Sequence, residues 1–213
     1  KGMHVLDVGS GVGGAARTLA TDIGCEVTGL ELTETFYRAA EMLTKLVGLG
    51  KQIVFHQGSA LDMPFENESF DAAWLQHVSM NIQDKRRLFS EIHRVLQPGG
   101  KLAIHEIMEG PSTNVLYPVF WAHDESISFL EQPDSIRRQL TDCGFSELGW
   151  VDVTERALEL TRKRHDEAEE MGPSLLGLNV IVPKDVPQKV KNSLKNLEEK
   201  RIVVVQAVFE RLM

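Results

Sequence analysis

The residues best suited to chemistry lie near the start of the chain, in Asp7-Val8-Gly9-Ser10-Gly11-Val12-Gly13-Gly14. Glycines so spaced let the backbone turn tightly and let a ligand approach with no Cβ in its way. The segment fits both G-x-G-x-G and, through Gly9, Gly11 and Gly14, the dinucleotide pattern G-x-G-x-x-G, so the glycines alone leave the ligand open. Charge separates the two. A dinucleotide brings a pyrophosphate to the N–H groups at such a turn, and Asp7, two residues before the first glycine, would repel it. The same carboxylate suits a ligand carrying an ammonium and a sulfonium. Glu31, twenty residues past Gly11, can accept hydrogen bonds from both hydroxyls of a ribose, which either ligand class possesses. Helix capping is the structural alternative for Asp7. Candidates for moving a proton are His77, His105, Glu106, His123 and Asp124. His105 alternates within a strand pattern and would equally fill a core slot, and His77 would equally serve by bonding backbone. The seven histidines show neither H-x-x-x-H nor H-E-x-x-H spacing and the two cysteines are unpaired in sequence, so no metal is expected.

These groups need elements to hold them. The first half alternates short apolar runs with helical spacing, the signature of parallel βαβ units. Strands are predicted over His4–Val8, Glu26–Leu30, Gln52–His56, Phe70–Gln76 and Lys101–Ile107. Helices are predicted over Gly13–Ile23, about Glu34–Val47 with Thr33 as its cap, and Asp84–Leu96, ended by Pro98-Gly99-Gly100. Right-handed crossovers place the carboxyl ends of all these strands on one edge, where ligands bind in open α/β sheets. The rhythm then breaks. Residues 110–130 are irregular and hold Tyr117, Phe120, Trp121 and Phe129, aromatics that would suit either lid packing or a cation–π surface for a methylated amine. A helix over about Pro133–Cys143, a strand over Glu147–Val153, helices over about Glu155–Met171 and Val186–Lys200, and a last strand over Ile202–Phe209 complete the chain. The final helix shows Val186, Val190, Leu194 and Leu197 on one face.

Composition narrows the function. The 213 residues are 42% hydrophobic, enough for one real core, and carry 31 acidic against 23 basic side chains, a formal charge of −8. Such a chain is a poor counterpart for nucleic-acid phosphates. Its densest basic stretch, Arg162-Lys163-Arg164, is followed at once by Asp166, Glu167, Glu169 and Glu170, and reads as a solvated helix face. Cys25 and Cys143 suggest free thiols and a reducing cytoplasm, and no apolar run reaches the roughly 18 residues of a membrane span. The chain enters a core strand directly from Lys1, which reads as a fragment whose original N-terminus, with any lid it carries, lies outside this sequence. Nothing in the sequence speaks to oligomeric state.

Four ordered segments, LDVGSGVGG at Leu6–Gly14, GLELTE at Gly29–Glu34, QGSALDMPFENESFD at Gln57–Asp71 and EIHRVLQPGGKLAI at Glu91–Ile104, resemble the class I S-adenosylmethionine-dependent methyltransferases. The resembling branch holds the ubiquinone/menaquinone, sterol, tocopherol and sarcosine/dimethylglycine enzymes. The resemblance implies a Rossmann-like, doubly wound, mostly parallel seven-stranded sheet with an antiparallel last strand and a helical lid. Residues 1–108 would form the cofactor core of a single domain, and 109–132 and 155–200 the lid and substrate insertions. It also implies that Gly9, Ser10, Gly11 and Gly13 pack against the methionine part of S-adenosylmethionine and Glu31 holds the ribose. Many relatives carry an acidic residue after the glycine equivalent to Gly58, to meet the adenine amine; Ser59 stands here, leaving the adenine to Leu32, Ala60 and Leu61, since Asp62 would substitute only in a shifted loop. Gln76 and His77 match positions facing the methionine and methyl end, with His77 the catalytic candidate. The expected activity is methyl transfer to a small molecule, an amine such as sarcosine or dimethylglycine on the likeness of residues 117–122 and the late helices. A quinone- or isoprenoid-type carbon or oxygen acceptor is the alternative. A nicotinamide oxidoreductase and a non-catalytic cofactor-binding module are the competing classes.

Overall fold

The computed structural model describes residues 2–112, 114–171 and 185–213. One seven-stranded sheet runs through it in the order β3-β2-β1-β4-β5-β7-β6. Its strands are β1 (His4–Val8), β2 (Glu26–Glu31), β3 (Ile53–Gln57), β4 (Phe70–Gln76), β5 (Leu96–Glu109), β6 (Phe145–Asp152) and β7 (Ile202–Arg211). The first five are mutually parallel, and β7 is antiparallel to both neighbours. The helices are α1 (Gly14–Thr18), α2 (Glu34–Leu46), α3 (Lys85–Val95), α4 (Pro133–Asp142), α5 (Thr154–Met171) and α6 (Val186–Glu198).

Strand alternation sends each side chain to one of two apolar layers. Leu6, Val8, Ala73, Leu75, Leu102 and Ile104 meet α3 and α4 in the larger cluster, while Val5, Val27, Ile53 and Phe55 meet α1 and α2 on the opposite face. A third, smaller cluster joins α5 and α6 to Ile107, Ile202 and Val204 and to the irregular segment after β5. Because β1 pairs with both β2 and β4, the chain reverses its winding between β1 and β4, and their carboxyl ends open a crevice there.

Several element ends differ from the sequence expectation. The first helix has only five α-residues and continues over Leu19–Ile23 as a wider π-type turn closed by Gly24 in the left-handed region. Thr33 occupies the cap position of α2 but makes no side-chain cap bond; its own N–H is taken by Glu31. Asp84 caps α3 from outside, accepting the Arg87 N–H at 2.9 Å. Pro98-Gly99-Gly100 lies inside β5, at an irregularity in its pairing with β4, rather than in a separate turn. Strand β6 starts two residues early, at Phe145, which is buried. On α6 the buried positions include Asn192, Ser193 and Asn196, whereas Val186 and Val190 are half-exposed. Part of the expected 155–200 insertion, residues 172–184, lies outside the described residues. Within them, no helix is long and apolar enough to cross a membrane.

Candidate functional site

The crevice floor is the β1–α1 turn, with Gly9, Gly11 and Gly13 at φ of 69°, 55° and 78°. Only glycine takes such angles freely. Space is tight beneath two of them: a Cβ on Gly9 would lie 2.5 Å from a Val78 methyl, and one on Gly13 2.7 Å from the Phe55 ring. At Gly11 a Cβ would meet nothing within 4 Å, so this is the open part of the floor.

Two carboxylates stand beside it. Glu31, buried at the end of β2, accepts the Gly11 N–H on Oε2 and the Thr33 N–H on Oε1, both at 2.8 Å. A carboxylate has about four acceptor sites, so both oxygens can still receive hydroxyl hydrogens. Asp7 is only 2% exposed. Burial drives its pKa up to about 7, the Ala16 N–H opposes that shift, and the charge of Glu31 adds to it. Its Oδ2 is buried with no hydrogen-bond partner, and so is the hydroxyl of Ser10. Buried polar atoms without partners are costly in a folded protein. A bound cationic group would supply partners to both, and the open floor at Gly11 leaves room for it.

The flanking loop carries Ser59, Ala60 and Leu61. Ser59 Oγ accepts the Leu61 N–H at 3.1 Å, closing a small turn, and Ala60 and Leu61 pack against the larger core cluster. Asp62 is turned outward and lies 3.8 Å from Arg87, so the loop does not deliver it in place of Ser59. Leu32 is 68% exposed at the rim. Helix α3 holds this loop firmly. Glu91 Oε2 accepts the Met63 N–H at 2.9 Å, Arg94 donates to the carbonyls of Met63 and Phe65, and Arg87 donates to that of Leu61. Sequence reasoning missed Glu91 and Arg94; a buried carboxylate on an apolar helix face was the available signal.

Across the crevice, β4 ends at Gln76 and His77 follows it. Gln76 Oε1 accepts the Trp74 indole N–H at 3.1 Å. His77 is exposed and sits at φ 55°, unusual for a residue with a Cβ. Its ring meets that of His105 edge to face, centroids 4.8 Å apart. Crowding by protein and then the proximity of His105 both disfavour its imidazolium, so its pKa falls and the ring is neutral at pH 7 despite its solvent contact. Partial burial lowers His105 likewise. The Gln206 side-chain amide lies 2.8 Å from His105 Nδ1. His105 is therefore half-exposed beside His77 and Gln206 rather than a core filler. Glu106 faces the other way and is buried under the loop after β4, accepting from Val78 and Ser79. His123 and Asp124 lie on the surface, Asp124 capping a short turn through Ser126. Among the described residues no three potential ligands cluster as a metal site.

Sheet order, the switch-point crevice and a glycine floor beside two carboxylates define a class I methyltransferase-type α/β domain. Residues 6–104 match the family model described as Methyltransferase domain. A glycine/sarcosine/dimethylglycine N-methyltransferase of Actinopolyspora halophila is 33% identical over 174 residues, 77% of this chain and 30% of that protein. A sterol 24-C-methyltransferase of Gibberella zeae is 40% identical over 105 residues, 49% of this chain and 28% of that protein. The solved structure of Haemonchus contortus phosphoethanolamine N-methyltransferase 2 in complex with S-adenosyl-L-methionine superposes with a TM-score of 0.82 over all of this chain and 49% of that one, at 21% identity. The chain is thus similar to the class I S-adenosylmethionine-dependent methyltransferases. It spans less than a third of the length of the two curated relatives named.

Proposed function

We propose that the protein transfers a methyl group from S-adenosylmethionine to a small-molecule acceptor. The observation that carries this is the pair of buried, partnerless oxygens, Asp7 Oδ2 and Ser10 Oγ, beside the open floor at Gly11 and the Glu31 carboxylate. Asp7 and Ser10 would take the amino-acid end of the cofactor, with Gly9, Gly11 and Gly13 as its floor. Glu31 would take the ribose hydroxyls, and Leu32, Ser59 and Ala60 would flank the adenine. When bound, the cofactor supplies a methyl carbon on a sulfonium, an electrophile with a good leaving group. The protein's part is orientation. His77, neutral at pH 7, would accept a proton from the nucleophile, and Gln76 would stiffen its strand end through Trp74. The first 108 residues would serve the cofactor and the segments 109–132 and 155–200 the acceptor. The acidic surface argues against a nucleic-acid acceptor, and the unpaired Cys25 and Cys143 favour the cytoplasm.

For the acceptor we favour an amine of the sarcosine or dimethylglycine kind, supported by the relative matching 77% of the chain. A sterol- or quinone-like carbon or oxygen acceptor is the second reading, favoured by the higher identity of the sterol enzyme over about half of the chain. Labelled S-adenosylmethionine incubated with the full-length protein and each acceptor distinguishes them: label in methylated amine supports the first, label in an isoprenoid or quinone the second. Tighter calorimetric binding of NAD than of S-adenosylhomocysteine would remove both.

A further inference from the structure

We infer that Glu106 is a positioning residue, fixing the turn of residues 77–82 as a shared wall between the cofactor floor and the segment after β5. The inference rests on the crevice being the cofactor site. Glu106 occupies a place on β5 between Ile104 and Met108, on the face that builds the larger core, and is 1% exposed. A carboxyl group there is costly unless hydrogen-bonded. Its Oε1 accepts the N–H of Val78 at 3.0 Å and more distantly that of Ser79 at 3.4 Å, and its Oε2 accepts the Ser79 hydroxyl at 2.9 Å. Those bonds hold the backbone just past His77, whose left-handed conformation needs such restraint.

The turn so held touches both sides of the site. Toward the cofactor, the Val78 methyl fills the space a Cβ on Gly9 would need. Toward the later segment, the Met80 carbonyl accepts the Phe129 N–H at 2.8 Å, and Asn81 Nδ2 donates to the carbonyls of Trp121 and Ile127 at 2.8 and 3.0 Å. Buried Lys85 gathers the carbonyls of Ser79, Ile82 and Phe129. The turn is thus in contact with the glycine floor on one side and bonded to residues 121–129 on the other, while Glu106 ties its N–H groups to the sheet.

Hydrogen exchange and S-adenosylhomocysteine calorimetry on the wild type, Glu106→Ala, Glu106→Gln and Val78→Ala test this. Glu106→Ala should speed exchange without ligand over 77–82, 8–14 and 119–130, leave α4 unchanged, and weaken binding about tenfold or more, since it strands buried N–H donors. Glu106→Gln keeps an acceptor for those donors and should restore the exchange pattern and bring binding within about threefold of wild type. Val78→Ala should speed exchange at 8–14 while 77–82 stays protected. Unchanged exchange at 8–14 in Glu106→Ala, or Glu106→Gln as impaired as Glu106→Ala, would overturn the inference. Should Glu106→Ala not fold, Val78→Ala decides, and unchanged exchange at 8–14 again overturns it. A wild type that fails to bind S-adenosylhomocysteine sinks the cofactor reading, while the exchange measurements still decide the role of Glu106.

Discussion

Asp7 would serve two opposed purposes in the proposed site, and its titration should expose both. Burial raises its carboxyl to about 7 in the folded chain, against 3.8 without that environment. The native state therefore holds the proton more tightly, and the stability this gives is complete below about pH 4 and lost as pH rises through about 7. Glu106, pushed to about 7 chiefly by burial, titrates with the same sign. A ligand ammonium beside Asp7 favours the ionised form, so affinity for S-adenosylhomocysteine should climb from about pH 5.5 to a plateau above about 7. Asp7→Asn should flatten that climb and weaken binding at about pH 8 by roughly ten- to hundredfold, the usual cost of losing a charged hydrogen-bond partner. The same variant should melt higher than wild type at about pH 8 and little differently at about pH 5, because the buried charge is gone. Calorimetry and thermal melts across that range read both effects. A wild-type affinity flat across that range would remove Asp7 from contact with the ligand.

At the scale of elements, the β1–α1 turn separates fold from function within three glycines. Gly11→Ala places a Cβ in open space at φ 55°, so it should fold with a loss of about 1–3 kcal/mol from the left-handed backbone and bind S-adenosylhomocysteine much more weakly. Gly9→Ala collides with Val78 and should lose more stability than Gly11→Ala. Chemical denaturation beside calorimetry tests the pair; a Gly11→Ala protein with intact binding would place the ligand elsewhere. This turn was legible in the sequence because glycine spacing and a preceding acid are local signals. So were the strands, since parallel core strands read as apolar runs. Their ends were not. A turn and an irregular strand pairing both use Pro98-Gly99-Gly100, and whether Thr33 or Glu31 meets an N–H depends on side-chain rotamers that spacing does not encode. Nor could the sequence show that His105 turns toward His77, because a strand residue's face is set by neighbours distant in the chain. Glu106 was visible as an acid on an apolar strand face; that its partners are the backbone of 78 and 79 required the fold.

Across the whole molecule, the crevice and the first residues of the segment after β5 are anchored by different elements. The crevice is framed by β1, β2 and β4. Residues 116 and 118 are stitched to α6, which lies between β6 and β7 in the chain, whereas residues 121–129 are bonded to the turn after β4. Asn196, fully buried, donates to the Leu116 carbonyl at 3.0 Å and accepts the Leu116 N–H at 2.8 Å, while Asn192 donates to the Pro118 carbonyl at 3.0 Å. These amides lie beside the apolar series Val186, Val190, Leu194 and Leu197 rather than on it, and their burial is explained by the backbone they satisfy. Asn196→Leu keeps comparable volume but leaves the half-buried Leu116 N–H and carbonyl without this partner, a cost of up to about 1–3 kcal/mol for each. That loss should fall on the third cluster, whose few apolar contacts make it the weaker unit. Exchange should therefore quicken over 114–118 and along α6, while β1 and β4 keep their protection and S-adenosylhomocysteine binds as in the wild type. Turnover of the acceptor should fall through a raised KM, because the wall proposed to meet the acceptor has loosened and the floor proposed to meet the cofactor has not. Equal weakening of cofactor and acceptor in Asn196→Leu would show instead that the two halves of the site are held as one.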